Sequence, residues 1–187
     1  MTVISLTGGL ASGKSTAARF LADRGAYVID ADVLGHRAYD PGTQAFAEVA
    51  EVFGKDVVGS DGQIDRKALG SKVFGKPDEL KKLTDIVWPE IRRQAEAEIR
   101  AALDIDPARL VVLEAAVLFE AGWDDMADEN WVVIVDPEVA IERAIARDGL
   151  AREAVQKRLD SQLSNEERRS RADRIIDNSD RKSTRLN

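Results

Sequence analysis

The sequence lacks the residues on which several classes of protein depend. None of its 187 residues is cysteine, and only one is histidine. The absence of cysteine excludes a disulfide framework and thiolate metal ligands, and one histidine cannot build a zinc site by itself. No apolar run approaches the roughly 20 residues of a membrane helix, and no basic leader precedes the first apolar run. We therefore expect a cytoplasmic protein.

The chain also has fewer positively charged residues than negatively charged ones. The chain has 27 lysine and arginine residues against 34 aspartate and glutamate residues, a formal net charge of −7 at pH 7. Such a chain as a whole repels the phosphates of nucleic acids and anionic membranes. We expect neither nucleic acid nor a membrane as a partner, and any anion-binding site has to be local.

What the sequence does contain is an alternation of short apolar runs and helix-like stretches. The apolar runs lie at residues 3–6, 27–29, 110–113 and 131–135. Strands that alternate with helices favour a parallel sheet covered on both faces, with ligands at the carboxyl ends of the strands. The pattern predicts an α/β fold in one domain, residues 1–179. Residues 33–108 have a helical period and no low-complexity linker, so we interpret them as an inserted helical substrate lobe.

A phosphate-binding motif, the P-loop, follows the first apolar run. Residues 8–15 fit G-x-x-x-x-G-K-[ST], and they lie between a strand-like and a helix-like segment, as this motif requires. Glycines allow backbone NH groups to surround phosphate oxygens, and the helix start adds partial positive charge. The alternative interpretation is a glycine-rich turn with a surface lysine.

The motif also predicts which groups bind ATP and Mg²⁺. Lys14 can reach the β- and γ-phosphates and is a catalytic candidate, Ser15 can ligate Mg²⁺, and Thr16 can add a hydroxyl contact to phosphate. We assign nucleotide binding to seven residues: Gly9, Ala11, Ser12, Gly13, Lys14, Ser15 and Thr16.

Two acids end the second apolar run. If Asp30 and Asp32 continue the strand, its two-residue period places both carboxylates on one side, near the carboxyl end. Phosphoryl transfer needs a group that orients an acceptor hydroxyl and takes its proton, so Asp32 is our candidate base. The alternative is that Asp32 only caps a helix that starts near Val33.

One acid ends the third apolar run. Glu114 lies where a second carboxylate of the nucleotide site is expected, and there it could hold the magnesium of the nucleotide through water. We place Glu114 with the substrate-binding residues. The alternative is a strand-end charge paired with a neighbouring cation.

Two arginines share a face of a helix after the fourth apolar run. Asp136-Pro137-Glu138 is typical of a helix start, and Arg143 and Arg147 follow it four residues apart. Arginines in this arrangement can close over phosphates and neutralise developing charge, so we predict a lid at about 138–165 with both as catalytic residues. The alternative is a solvated face, with Arg143 beside Glu142 and Arg147 beside Asp148.

The only histidine lies four residues after Asp32. His36, with Arg37 beside it, is close enough in a helix to help bind a phosphate or ribose group of the substrate. A surface histidine without a function is the alternative.

These residues together resemble dephospho-CoA kinase over nearly the whole chain. The resemblance implies a P-loop kinase fold that uses ATP to phosphorylate the ribose 3′-hydroxyl of dephospho-CoA. It implies Asp32 as the base, Lys14 with the loop amides on ATP, and Arg143 and Arg147 as the lid. The segments that carry it are 6–15, Val28-Ile29-Asp30-Ala31-Asp32, Asp65-Arg66-Lys67-Ala68-Leu69, Val73-Phe74 and Trp88-Pro89-Glu90-Ile91.

Three further segments, 34–39, 115–123 and 147–150, resemble especially the kinase domain of the bifunctional CoA synthase of animals. The stretch 115–117 departs from many bacterial members, which carry a proline there. The family also continues past its last strand, here 174–178, into another helix. Residues 180–187 change abruptly in character and resemble translated adapter DNA, so we expect them to be a non-native tail.

Other functions stay open at this stage. A different small-molecule or nucleoside-monophosphate kinase could use the same loop, although the long segment after Asp32 argues against it. A nucleotide switch that recognises guanine would usually need Asn-Lys-x-Asp, which is absent from the sequence, and the D-x-x-G match at 56–59 is short enough to occur by chance. An inactive fragment that binds ATP is a third possibility.

Overall fold

A computed structural model describes residues 2–179 of the chain. Its core is a five-stranded sheet in the order β2-β3-β1-β4-β5, and the pairs of β1 with β3, β1 with β4 and β4 with β5 are parallel. The strands are β1 Thr2–Gly8, β2 Tyr27–Asp30, β3 Leu110–Glu114, β4 Glu129–Ile134 and β5 Arg174–Asp177. This confirms the predicted α/β fold, because each apolar run forms a strand.

Helices connect the strands, and the described residues contain eight α-helices. They are α1 Lys14–Ala22, α2 Ala31–Arg37, α3 Gln44–Phe53, α4 Arg66–Val73, α5 Pro77–Ile105, α6 Pro137–Asp148, α7 Arg152–Asp160 and α8 Asn165–Ser170. Short 3₁₀ turns lie at Lys55–Val57 and Asp124–Met126. In residues 2–179 no helix has both the length and the apolar character needed to cross a membrane.

The helix starts follow local capping chemistry. Asp136 accepts hydrogen bonds from the amides of Glu138 and Val139 and Pro137 takes the first helical position of α6, as predicted. Asp65 caps α4 in the same way. Each of these carboxylates accepts hydrogen bonds from amides that have no partner inside the helix. The residue at which α4 and α6 begin is therefore set by the local sequence.

The chain divides into two compact units, one made of residues up to 29 with those from 99 onward, the other of residues 30–98. The second unit contains α2, α3, α4 and most of α5. Within it, α3 buries Ala45, Val49 and Phe53, and Val58 and Ile64 form an antiparallel bridge across a turn at Asp61-Gly62. The proposed tail, 180–187, lies outside the described residues.

The core of the first unit surrounds the central strand. From Val3 to Leu6 every residue of β1 is buried, as expected for a parallel strand covered on both faces. Ile4 and Leu6 pack with Ala18 of α1, and β3 and β4 complete the cluster with Val112 and Val133. The strand that leads into residues 8–15 is therefore the most enclosed part of the sheet.

The burial of β1 predicts a large stability difference between two isoleucines. Ile4 is 1% exposed and Ile175 of β5 is 44% exposed. Because a buried side chain leaves a cavity when truncated, we expect Ile4→Ala to lower the free energy of unfolding by about 2–5 kcal/mol. The control, Ile175→Ala, should cost about 1 kcal/mol or less. Urea denaturation followed by circular dichroism measures both, and equal losses would contradict this core.

Candidate active site

The loop between β1 and α1 closes around its own backbone. Ser12 donates its amide hydrogen to the Gly9 carbonyl at 3.1 Å, and Thr16 donates to the Gly13 carbonyl at 3.0 Å. Gly13 precedes α1 with φ +97°, a conformation that favours glycine. Gly8 has no room for a side chain, since a Cβ there would lie 2.5 Å from the Val133 carbonyl oxygen. The loop therefore presents main-chain amides and a helix start, which together bind anions.

A buried carboxylate joins the first two residues of α1. The Nζ of Lys14 lies 2.6 Å from Oε1 of Glu114, and the Ser15 hydroxyl donates to the same oxygen at 2.8 Å. Glu114 is 5% exposed and lies at the end of β3, where it pairs in register with Leu6 of β1. The strand register thus carries the carboxylate to the loop, and the strand-end acid is paired with a cation, Lys14.

The side chains of Ser15 and Glu114 fit a magnesium site. Mg²⁺ prefers oxygen ligands and is usually bound by one or two carboxylates together with substrate phosphates and water. The hydroxyl of Ser15 and the carboxylate of Glu114 supply such oxygen ligands, and the hydrogen bond between them places the two groups side by side. Among residues 2–179 no three His, Asp or Glu side chains cluster to hold a metal alone. The remaining ligands would have to come from nucleotide phosphates and water.

Residues from the end of the chain hold the loop from outside. Gln162 accepts a hydrogen bond from the Leu10 amide at 2.9 Å, and the Asn178 side chain donates to the Ser12 carbonyl at 2.8 Å. Leu10 and Ala11 also pack against a buried cluster of α6 and α7. Neither Gln162 nor Asn178 was predicted to contact the loop, because no local pattern links them to residues so far away in the chain.

A buried arginine lies beside the same loop. Arg168 is 2% exposed, and its Nη1 would lie 3.4 Å from a Cβ built on Gly9. Nη1 donates to the Leu163 carbonyl, while Nη2 lies 3.8 Å from Oε1 of Glu120. Among residues 2–179, Nε and Nη2 have no hydrogen-bond partner. Burial lowers the pKa of the Arg168 guanidinium, because removal from water disfavours the charged form. Arg168 was not predicted from the sequence either, because no motif includes it.

The expected geometry of Asp32 is wrong. The strand β2 ends at Asp30, whose carboxylate accepts hydrogen bonds from the amides of Asp32 at 2.8 Å and Val33 at 3.4 Å. Asp30 is therefore the helix cap, and Asp32 lies exposed in the first turn of α2. The alternating period of a strand does not apply beyond Asp30, and the alternative in which Asp32 caps the helix is wrong too.

His36 and Arg37, which were also predicted to bind substrate, lie in the last turn of α2. The Arg37 guanidinium donates to Glu98 Oε1 at 2.9 Å, so its charge is compensated within the second unit. The carbonyl of His36 accepts a hydrogen bond from Arg66 at 3.0 Å. Both side chains are exposed, which is compatible with ligand binding and with a surface position.

The two predicted lid arginines have different partners. Arg143 donates to the carbonyl of Asn178 at 2.9 Å, whereas Arg147 makes two bonds to Asp148, at 2.7 Å and 2.9 Å. The hydrogen bonds from Arg147 lower the pKa of Asp148. The alternative interpretation named this partner for Arg147, but it did not anticipate that Arg143 would contact the residue that supports Ser12.

Comparison with known proteins gives consistent similarities. A protein-family model described as dephospho-CoA kinase matches residues 2–183. A dephospho-CoA kinase of Geobacter sulfurreducens is 46% identical over 178 residues, which are 95% of this chain and 90% of the relative. The crystal structure of TT1252 from Thermus thermophilus is similar with a TM-score of 0.77 and 36% identity, covering 96% of this chain and 90% of that one. The dephospho-CoA kinase of Campylobacter jejuni has a TM-score of 0.64 and 26% identity, over 98% and 91%.

The surroundings of Gly13 predict a specific effect on nucleotide binding. Gly13 and Gly25 have nearly equal φ angles, +97° and +95°, but a Cβ on Gly13 would collide with Asn178 Nδ2, while a Cβ on Gly25 would meet no atom of the described residues within 4 Å. Both substitutions by alanine should cost about 1–2 kcal/mol of backbone strain. Only Gly13→Ala should displace Asn178 from Ser12, and we expect it to weaken ATP binding about tenfold or more.

Isothermal titration calorimetry with ATP and Mg²⁺ checks this prediction. Gly25→Ala serves as the control and should bind ATP within about twofold of the unchanged protein. Equal affinities in Gly13→Ala and the control would show that the contact with Asn178 does not shape the loop.

Proposed function

The chain belongs to the dephospho-CoA kinase family, and we propose on this basis that it transfers the γ-phosphoryl group of ATP to the ribose 3′-hydroxyl of dephospho-CoA, giving coenzyme A and ADP. The observation that carries the proposal is the arrangement of Lys14 and Ser15 on the carboxylate of Glu114, at the loop that ends the central strand. Matches over 95% of the chain favour this acceptor over a nucleoside monophosphate and favour an enzyme over a nucleotide switch.

The loop binds the phosphates of ATP in this proposal. The amides of Gly9, Ala11 and Gly13 and the start of α1 surround the phosphate oxygens, and the hydroxyl of Thr16 adds a contact. Lys14 leaves Glu114 for the β- and γ-phosphates, since these phosphates carry more negative charge than one carboxylate and attract the ammonium group more strongly. Glu114 and Ser15 would hold Mg²⁺, which would supply positive charge beside the phosphates of the nucleotide.

Asp32 takes the proton of the ribose hydroxyl. This role is supported by the position of Asp32 in the first turn of α2, two residues after the cap Asp30, by its exposure to solvent, and by the family resemblance of the segment 28–32. A carboxylate there can orient the hydroxyl and accept its proton as the bond to phosphorus forms. Asp30 caps the helix and is the structural member of the pair, because its carboxylate already accepts two amides.

The remaining predicted residues bind charge on the substrates. His36 and Arg37 contact a phosphate or ribose group of dephospho-CoA. To do so, Arg37 must break its ion pair with Glu98. Arg143 and Arg147 belong to a lid at about 138–165, in which Arg147 leaves Asp148 to neutralise charge on the transferred group. Residues 33–108 form the substrate lobe.

Three further proposals concern the subgroup, the cellular setting and the last residues of the chain. The segments 34–39, 115–123 and 147–150 support a subgroup similar to the kinase domain of the animal CoA synthase. Reaction in the cytoplasm is in keeping with the composition, and residues 180–187 are proposed to be non-native.

The acceptor can be tested by measuring ADP release. ATP and Mg²⁺ are supplied with dephospho-CoA, with a panel of nucleoside monophosphates, or with no acceptor. We expect ADP release to be stimulated by dephospho-CoA alone, because the family match favours this acceptor. Stimulation by a nucleoside monophosphate would replace the proposed acceptor, and ATP binding without any stimulation would indicate an inactive fragment or a switch.

The role of Asp32 can be tested by Asp32→Asn. Loss of a general base lowers turnover by about 10²-fold or more, so we expect kcat to fall by this factor while ATP affinity stays unchanged. The matched control is Asp40→Asn, which changes an exposed aspartate after the same helix. Initial rates and calorimetry measure the two effects. Unchanged turnover in Asp32→Asn would remove this residue as the base.

A further inference from the structure

Three side chains that follow α7 meet the phosphate loop from outside. Gln162 binds the Leu10 amide, Asn178 binds the Ser12 carbonyl, and Arg168 lies against Gly9. All three belong to the same compact unit as the loop. Asn178 supports the second half of the loop, whereas Gln162 and Arg168 are polar side chains beside its first half.

The burial of Arg168 is costly and is only partly compensated. An ionised side chain is stable inside a protein when it is paired and fully hydrogen-bonded. Arg168 is 2% exposed, yet within the described part of the chain its ion-pair partner Glu120 lies 3.8 Å away, and Nε and Nη2 find no hydrogen-bond partner there. A well-packed apolar side chain would suit the fold at least as well. The retained charge therefore points to a role beyond packing.

The position of the guanidinium indicates that role. A Cβ built on Gly9 would lie 3.4 Å from Nη1 of Arg168 and 3.6 Å from Oε1 of Gln162, so both groups lie against the main chain of Gly9. Gln162 also holds the next amide, that of Leu10, at 2.9 Å. The first half of the loop is thus enclosed by one carboxamide and one cation.

We propose that Arg168 is a positioning residue of the phosphate loop, which acts through Gly9 and Leu10 together with Gln162 to hold the loop in the shape that binds the phosphates of ATP. The positive charge of Arg168 beside the loop also favours the polyanion. The inference rests on the proposed function only in that the loop binds ATP. It does not depend on which acceptor is phosphorylated.

The experiment measures nucleotide binding in the full chain without any acceptor. The variants are Arg168→Met, which keeps much of the length and removes the charge, and Arg168→Lys, which keeps the charge. The control is Arg169→Met, because Arg169 is the exposed neighbour whose carboxylate partner, Asp177, lies 3.5 Å away. Calorimetry gives Kd for ATP and for ADP with Mg²⁺, and thermal unfolding shows that each variant is folded at the temperature used.

The expected result is a loss of affinity that depends on charge. Arg168→Met should weaken binding of ATP and ADP about tenfold or more, because a charged contact beside the loop is lost. Arg168→Lys should recover part of this loss, and Arg169→Met should stay within about twofold of the unchanged protein. In rate measurements with dephospho-CoA, the KM for ATP should rise while the KM for the acceptor stays constant.

Several outcomes would overturn the proposal. Wild-type affinity in folded Arg168→Met would show that the residue is only structural, whatever its effect on thermal stability. An equal loss in Arg169→Met would assign the effect to charge in general. If Arg168→Met does not fold, Arg168→Lys and Gln162→Ala decide, since the latter removes the acceptor of the Leu10 amide, and wild-type affinity in both would reject the proposal. Failure of dephospho-CoA as acceptor would contradict the proposed function and leave these binding data interpretable.

Discussion

A single carboxylate oxygen, on Glu114, binds the side chains of the first two residues of α1, where the P-loop ends. Oε1 of Glu114 accepts from both Lys14 and Ser15, and the parallel pairing of β3 with β1 brings it there. Buried ion pairs contribute little net stability, because desolvation offsets their attraction, whereas loss of one partner leaves an unpaired buried charge. The pair therefore orients Lys14 more than it stabilises the fold. The central strand is buried from Val3 to Gly8, which fixes the strand end from which the loop starts.

A second point of organisation lies at the end of β5. The Asn178 side chain donates to the Ser12 carbonyl, while its own carbonyl accepts from Arg143 of α6. The same side chain occupies the space that a Cβ on Gly13 would need. Two hydrogen bonds thus connect α6 to the loop through one residue. This connection gives Arg143 a structural contact in addition to its proposed role over the phosphates.

The success of sequence-based interpretation depended on how local each signal was. The P-loop motif, the apolar runs and the helix start at Asp136-Pro137 are each defined by neighbouring residues, and the structure confirms the sheet and this helix start. The geometry predicted for Asp32 was wrong because two local rules competed. A strand period and a helix cap both suit the segment 30–32, and the bonds from two amides to Asp30 favour the cap.

The chain's composition and local patterns were sufficient for the fold class and for the position of the loop between β1 and α1. They left the partners of the loop undefined, since Lys14 and Glu114 are 100 residues apart, Leu10 and Gln162 are 152 apart, and Ser12 and Asn178 are 166 apart. Such pairs form only when the strand order and register bring distant segments together. Local propensity carries no information on that register, so the residues that support the loop became visible only in the folded chain.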